Sequence, residues 1–311
     1  PSAASCNLEE RAEEKQGYSG NLPSLARALG SGPEQGRSGR SNAVSETLIL
    51  KGQVLAYDAA PSGDDPTAAV RVEEAVALSG GLIADVGPLA ALKAAHTRAR
   101  IVDYGCHVIL PGFVDAHVHY PQTAVIASWG KRLIDWLETF VFPEEMRFSD
   151  PVYAAEIARR YLDLTAANGT TTVCSYCTIH PESADAIFAE ALSRGQRIVA
   201  GKTCMDRDTA PQGLLDTAQS AYDDSKALIE RWHGRGRLEY AITPRFSPTS
   251  TPDQLSALGA LWAEHPDCLM QTHLSEQVEE IAWVKSLYPE ARDYLDTYEA
   301  HGLLGERAVY G

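Results

Sequence analysis

The pattern of apolar and polar positions divides the chain into three stretches. Residues 1–46 are rich in Gly, Ser, Glu and Arg and show no sustained apolar period. That composition predicts a disordered leader. Short apolar runs separated by turn residues fill residues 47–110 and predict a small β-rich domain. From residue 111 to residue 311, apolar strands alternate with amphipathic helices.

In the small domain, the pattern predicts strands at residues 47–57, 70–78 and 82–86, and a further strand within residues 100–110. A helix is predicted at residues 89–96. The tripeptide Ser79-Gly80-Gly81 lies between two of the strands and has the composition of a hairpin turn. We therefore expect a β-sheet with one short helix.

The third stretch repeats a strand followed by a helix. Strands are predicted at residues 112–118, 170–176, 196–202, 238–243 and 268–273, and another begins at residues 307–310. Helices are predicted at residues 150–168, 183–194, 214–233, 252–264 and 277–287. Strict alternation favours a parallel sheet, and polar residues at the carboxyl ends of the strands favour a (β/α)8 TIM-type barrel.

Length limits this barrel. A complete (β/α)8 barrel takes roughly 250 residues, which is more than the stretch from residue 111 to residue 311 offers. We therefore expect an incomplete barrel of about five strands plus the start of the sixth. The predicted domains are a leader at residues 1–46, a partial β domain at residues 47–110 and a truncated barrel at residues 111–311.

Composition excludes several classes of function. The chain has 311 residues with 27 basic and 42 acidic side chains, for a net charge of −15, which argues against nucleic acid as a partner. No run approaches the 18–20 apolar residues of a membrane span, and no signal pattern opens the chain. Six sparse cysteines read as free thiols. We expect a cytoplasmic protein without a membrane or nucleic-acid partner.

The sharpest chemical signal is the run from Pro111 to His119, which reads PGFVDAHVH. An apolar strand ends there in His-x-His, and residues two apart in a strand share a face. His117 and His119 should therefore reach one space, as two ligands of a single metal ion must.

A second signal ends the fifth predicted strand, where Gln271-Thr272-His273 is followed by Glu276. His273 offers a third imidazole at the same end of the barrel. Glu276 offers a carboxylate that could take a proton from water and return it to a leaving group. These residue types predict a metal-dependent hydrolase.

These features resemble the amidohydrolase superfamily of metal-dependent hydrolases, whose members use a (β/α)8 barrel. Further blocks resemble the guanine deaminase family within it, and the resemblance covers about residues 47–311. In order along the chain the blocks are His119-Tyr120-Pro121-Gln122, Trp136-Leu137-Glu138, Phe142-Pro143-Glu144-Glu145, Asn168-Gly169-Thr170-Thr171-Thr172, Gly201-Lys202-Thr203-Cys204-Met205-Asp206, Thr243-Pro244-Arg245-Phe246-Ser247 and Leu287-Tyr288-Pro289.

The resemblance implies a hydrolase of purine catabolism that converts guanine to xanthine and ammonia. It implies one zinc ion per chain, bound by His117, His119 and His273, with Glu276 as the proton shuttle. The implied substrate contacts are His119, Tyr120, Pro121, Gln122, Arg245, Phe246 and His273. Their chemistry suits a purine, because an Arg fork, an amide and an aromatic ring can bind its carbonyl, its nitrogens and its face.

Members of the family also use a histidine after the sixth strand and an aspartate after the eighth. The sequence reads Arg307-Ala308-Val309-Tyr310-Gly311 and stops before either position. We therefore expect weak or no activity from residues 1–311 alone. His301 precedes the sixth strand and is interpreted as a loop histidine. For the complete protein, the resemblance implies a homodimer.

Two alternatives stay open: an aminohydrolase of the same superfamily that acts on another purine, a pyrimidine or a triazine, and a truncated, catalytically incompetent chain. The dihydropyrimidinase-like branch is disfavoured because no lysine ends the fourth strand. Cys174-x-x-Cys177 lacks the second pair of a zinc site, and the Pro-Cys-x-x-Cys signature of cytidine-type deaminases is absent. Three further histidines are predicted to be solvated: His180, His233 and His265.

Overall fold

A computed structural model of the chain describes residues 47–57, 70–130 and 132–311. The leader predicted at residues 1–46 lies outside the described residues. The chain separates into two compact units, the first ending at Pro111 and the second being Gly112–Gly311. Within the described ranges, no helix is long and apolar enough to cross a membrane.

The described residues of the first unit form a four-stranded sheet with one helix. Its strands are β1 (Leu48–Tyr57), β2 (Val70–Ser79), β3 (Leu82–Gly87) and β4 (Arg100–Ile109), and its helix is α1 (Leu89–Ala95). The order is β3-β2-β1-β4, with β4 parallel to β1 and the other pairs antiparallel. Gly80 and Gly81 both have positive φ and form the predicted hairpin turn between β2 and β3.

The second unit contains a parallel sheet in the order β5-β6-β7-β9-β10-β11, and the short β8 pairs with β9. The strands are β5 (Phe113–His119), β6 (Thr170–Tyr176), β7 (Arg197–Gly201), β8 (Thr203–Cys204), β9 (Leu238–Pro244), β10 (Leu269–Thr272) and β11 (Ala308–Tyr310). The fold is that of a TIM-type barrel, as predicted, with five full barrel positions and a short strand at the sixth.

Helices connect the parallel strands. They are α2 (Leu133–Trp136), α3 (Phe142–Glu145), α4 (Pro151–Ala167), α5 (Pro181–Arg194), α6 (Ala218–Trp232), α7 (Pro252–Glu264), α8 (Val278–Leu287) and α9 (Asp296–Glu299). Helix α4 begins as predicted, because the Asp150 side chain accepts a hydrogen bond from the backbone N–H of Val152. Gly195 ends α5 in the left-handed conformation.

The largest difference between a predicted and an observed boundary is at the start of α6. The pattern placed a helix at residues 214–233, but α6 begins only at Ala218. Thr217 and Ser220 form a capping box that fixes this start, and Gln212–Leu214 forms a separate 3-10 turn. The apolar side chain of Leu214 extended the helical pattern, although it packs beside Met205 instead.

The segment between β5 and α4 builds one wall of the site described below. A 3-10 turn at Tyr120–Val125 leads to α2, a π-helical turn at Leu137–Val141 and then α3. Leu137, Val141 and Phe142 are buried there together with Met205. This small apolar cluster joins the segment to the loop after β8.

Candidate active site

Three imidazole rings meet at the carboxyl ends of the strands. His117 and His119 end β5, and His273 follows β10 directly. Their candidate ligand nitrogens all lie within 4.8 Å of one another, and Nε2 of His119 is 2.9 Å from Nε2 of His273. Three strands separate β5 from β10 in the sheet order, so the curl of the sheet brings the rings together.

The protonation of these histidines suits a metal ion. The Nδ1–H of His273 donates to the backbone carbonyl of Arg245 at 2.7 Å, which leaves the Nε2 lone pair free. Burial lowers the pKa of His273 to about 3 and lowers the pKa of His119 well below its usual value, and the nearby Arg245 charge adds to both effects. Burial also lowers the pKa of His117, although Asp115 opposes the shift. The lowered pKa values favour the neutral form of all three imidazoles.

The donor set therefore fits a bound cation. Three neutral imidazole nitrogens are a known ligand set for zinc. Nδ1 of His119 is buried and has no hydrogen-bond partner among the described residues. The residues present could thus hold a metal ion through His117, His119 and His273.

A cavity of about 230 Å³ opens beside the three rings. Seven of the residues that line it were predicted from sequence: His117, His119, Gln122, Arg245, Phe246, His273 and Glu276. Its other walls are Leu133, Trp136 and Leu137, which come from α2 and the π-helical turn. A small planar molecule matches this size and this mixture of polar and apolar walls.

Glu276 lies at the rim of the cavity. Its side chain remains accessible, yet the surrounding protein removes enough water from the carboxyl group to raise its pKa. The negative charge of Glu280 raises the pKa further, whereas Arg245 opposes the shift. A carboxylate with a raised pKa beside a candidate metal site is suited to accept and return a proton.

Arg245 follows β9 and is almost fully buried, with 3% of its side chain exposed. Its Nη1 donates to Oε2 of Glu145 at 2.7 Å, and the Glu145 side chain is completely buried. Its guanidinium carbon also lies 5.4 Å from the ring centre of Phe142. The backbone of the same residue holds His273, so one position supports both the candidate metal site and the cavity wall.

Two predicted substrate contacts lie elsewhere. The Tyr120 ring is buried in the core edge-on to Phe148, and its hydroxyl donates to the Ser183 carbonyl at 2.6 Å. Pro121 is buried in the 3-10 turn beside it. Neither is among the residues that line the cavity, because the turn directs Tyr120 toward α5.

Tyr176 and Glu145 were not predicted as parts of the site. Tyr176 ends β6, and its ring stacks on His119 with centroids 4.4 Å apart and an interplanar angle of 16°. Its place at the carboxyl end of a barrel strand was a usable signal. Glu145 had no such signal, because its partner Arg245 lies 100 residues away in sequence.

A second group of possible ligands consists of His233, Asp267 and Cys268. The His233 Nδ1 accepts a hydrogen bond from the backbone N–H of Tyr240 at 3.0 Å, and its Nε2 lies 3.2 Å from a carboxylate oxygen of Asp267. The expectation that His233 is solvated is therefore wrong. It is wrong as well for His180 and His265, which are half-buried, with Nε2 atoms that have no partner among the described residues.

Family comparison agrees with this architecture. The model of the Amidohydrolase family matches residues 108–310, and the imidazolonepropionase-like composite domain of bacteria matches residues 75–99. The chain belongs to the amidohydrolase family. Members of this family are generally metal-dependent, which is consistent with the three converging histidines.

Several proteins similar to this chain are guanine deaminases. The guanine deaminase of Escherichia coli is 49% identical over 211 residues, which cover 68% of this chain and 48% of that protein. A crystal structure of guanine deaminase from Bradyrhizobium japonicum matches with a TM-score of 0.83 and 37% identity, over 86% of this chain and 58% of that chain. The guanine deaminase of C. acetobutylicum, with guanine bound in the active site, matches with a TM-score of 0.77 and 27% identity, over 85% of this chain and 62% of that chain. The chain spans about half the length of the curated relatives it matches.

Proposed function

We propose that this chain carries the zinc and guanine sites of a guanine deaminase, which hydrolyses guanine to xanthine and ammonia. The observation that supports this most is the single cavity shared by Arg245, Gln122 and Phe246 with the three histidines and Glu276. One zinc ion per chain would be held by His117, His119 and His273. The similarity to guanine deaminases, one of which was solved with guanine, supports the same substrate.

Recognition of the purine rests on three side chains. Arg245 offers guanidinium N–H groups beyond the Nη1–H that Glu145 accepts, and these suit a ring carbonyl and its neighbouring nitrogen. Gln122 can donate and accept at one edge of the base. Phe246 supplies an aromatic wall for the purine face. A guanine so held would keep its amino-bearing carbon in a fixed orientation.

Glu276 is proposed to move the proton. It accepts a proton from water as the oxygen attacks C2 of guanine, and it then donates that proton to the amino group, which leaves as ammonia. A zinc ion at the three histidines would polarise the water and lower its pKa toward neutrality. His273 is kept in the required tautomer by the Arg245 carbonyl.

The apolar residues Leu133, Trp136 and Leu137 limit the water that reaches the base. They form the cavity wall that comes from α2 and the π-helical turn. Excluding water there strengthens the hydrogen bonds from Arg245 and Gln122. This wall therefore contributes to orientation rather than to proton transfer.

A reducing compartment such as the cytoplasm is the proposed location. The five cysteines within the described residues are all free, and four of them are buried thiols: Cys174, Cys177, Cys204 and Cys268. Free thiols persist where glutathione keeps them reduced. The homodimer stays a prediction.

The test is equilibrium binding of guanine to the zinc-loaded protein, beside adenine, cytosine and melamine. We expect saturable binding of guanine alone. Gln122→Ala should weaken it about 3- to 10-fold, the effect of losing one or two hydrogen bonds. Gln219→Ala is the matched control, because Gln219 is exposed on α6 and bonds to Asp223 at 3.0 Å.

Ammonia release is followed in the same samples. Binding of a pyrimidine or triazine without binding of guanine would contradict the proposed substrate. Equal effects of the Gln122 and Gln219 substitutions would remove Gln122 from the recognition site.

A further inference from the structure

A buried ion pair between Glu145 and Arg245 lies beside the candidate metal site. Glu145 ends α3, whereas Arg245 follows β9, and the two side chains are 0% and 3% exposed. Arg245 is the one Arg or Lys among the described residues that line the cavity. Its charge is therefore the nearest positive charge that a bound cation would meet at the cavity wall.

The Arg245 charge reaches the candidate ligands. Arg245 lines the same cavity as the three histidines, and its backbone carbonyl accepts the Nδ1–H of His273 at 2.7 Å. At this range the guanidinium charge disfavours positive charge on the rings. A divalent cation at the same nitrogens would be disfavoured in the same way, and more strongly because of its double charge. A negative charge in contact with the guanidinium is needed to offset this repulsion. Glu145 supplies it through the 2.7 Å contact.

We propose that Glu145 is a positioning residue that offsets the charge of Arg245, so that a divalent cation can bind to His117, His119 and His273. By accepting the Nη1–H, Glu145 also holds the guanidinium so that its other N–H groups are available to the purine. This second part of the proposal rests on the proposed function. Glu145 is not among the residues that line the cavity, so it acts through Arg245. Its role thus joins metal affinity to substrate orientation.

Glu144 provides a matched control in the same helix. It is also buried, with 7% exposed, but its carboxylate accepts from the Tyr153 hydroxyl and from Nη1 of Arg147. Neither partner lines the cavity. Glu144→Gln and Glu145→Gln therefore remove equal charges from adjacent buried positions, and only the second leaves Arg245 without its counter-charge.

The first measurement is the zinc affinity of each variant, by competition with a chromophoric chelator at pH 7.5. Glu145→Gln should weaken zinc binding about 10- to 100-fold, as removal of groups that support metal ligands does. Glu144→Gln should leave the affinity unchanged. Unaltered zinc affinity in Glu145→Gln would overturn the proposal.

Arg245→Gln separates charge from packing. On its own it should bind zinc more tightly than the unsubstituted protein, since the repulsive charge is gone and the Glu145 charge remains. Combined with Glu145→Gln, it should restore the affinity lost in the Glu145 variant. A double variant that binds zinc as weakly as Glu145→Gln would show that packing, not charge, caused the loss.

Should Glu145→Gln fail to fold, tighter zinc binding by Arg245→Gln than by the double variant supports the proposal, and equal binding overturns it.

Glu145→Asp tests the positioning part. It keeps the charge but shortens the side chain, so zinc affinity should persist while guanine affinity falls about tenfold, the effect of one misplaced charged hydrogen bond. Unchanged guanine affinity would overturn this part. If guanine fails to bind even the unsubstituted protein, the proposed function and the positioning part fail together, while the zinc measurements still decide the role of the charge.

Discussion

The described part of Gly112–Gly311 contains two clusters of possible metal ligands, and in each the ligand atoms are within 4.8 Å of one another. One lies at the carboxyl ends of the barrel strands and consists of His117, His119 and His273. The other lies at the amino ends, where β9 and β10 begin, and consists of His233, Asp267 and Cys268. The residue types alone would admit a metal ion at either.

Hydrogen bonding separates the two clusters. In the first cluster, the His273 ring makes its hydrogen bond to the backbone through Nδ1, and its Nε2 faces His119. In the second, the His233 Nδ1 already accepts the Tyr240 N–H, and its Nε2 lies against Asp267. Burial also raises the pKa of the Cys268 thiol to about 12, so it carries its proton at neutral pH. Ligands must have free lone pairs, and only the first cluster offers three.

The difference follows the general division of labour in barrels. Residues at the carboxyl ends of the strands perform chemistry, whereas those at the amino ends stabilise the fold. His233 connects the end of α6 to β9 through Tyr240 and contacts Asp267, which lies two residues before β10. The first cluster should therefore matter for metal binding and the second for stability.

The largest expected effect is on zinc affinity. His273→Ala removes one of three proposed ligands and should weaken zinc binding by more than about 100-fold, beyond the loss seen when only a supporting group is removed. His233→Ala is the control and should leave zinc affinity unchanged. Chelator competition measures both, and comparable losses in the two variants would erase the distinction between the clusters.

A smaller effect is expected on the stability of the metal-free protein, and here the second cluster should matter more than the first. His233→Ala leaves the buried Tyr240 N–H without an acceptor and should lower the free energy of unfolding by about 1–3 kcal/mol. His117→Ala changes a half-buried ring and should cost less than about 1 kcal/mol. Urea unfolding measures both values, and a larger loss for His117→Ala would reverse our assignment.

Local sequence signals predicted much of the fold. Asp150, Pro151 and Gly169 mark the ends of α4, and the structure places that helix as predicted. The segment between β5 and α4 had no comparable signal, because its short helices depend on packing against Met205 and Leu214. Thr217 shows the same limit on a smaller scale: its cap overrode an apolar pattern that extended three residues further back.

The site was predictable where strand geometry applied. His117 and His119 share a face because they are two residues apart in a strand, and His273 was placed by its position at a strand end. No local sequence pattern indicates the Glu145–Arg245 pair, because its two members come from separate elements. Likewise, His233 looked solvated in sequence because its partner is the backbone of Tyr240.

X-ray absorption spectroscopy of the zinc-loaded protein tests the central claim most directly, because nitrogen and sulfur ligands differ in their distance to zinc. We expect imidazole nitrogen scattering at about 2.0–2.1 Å without a sulfur shell, and loss of that signal in His273→Ala. A sulfur ligand at about 2.3 Å, or a spectrum unaltered by His273→Ala, would contradict the central claim.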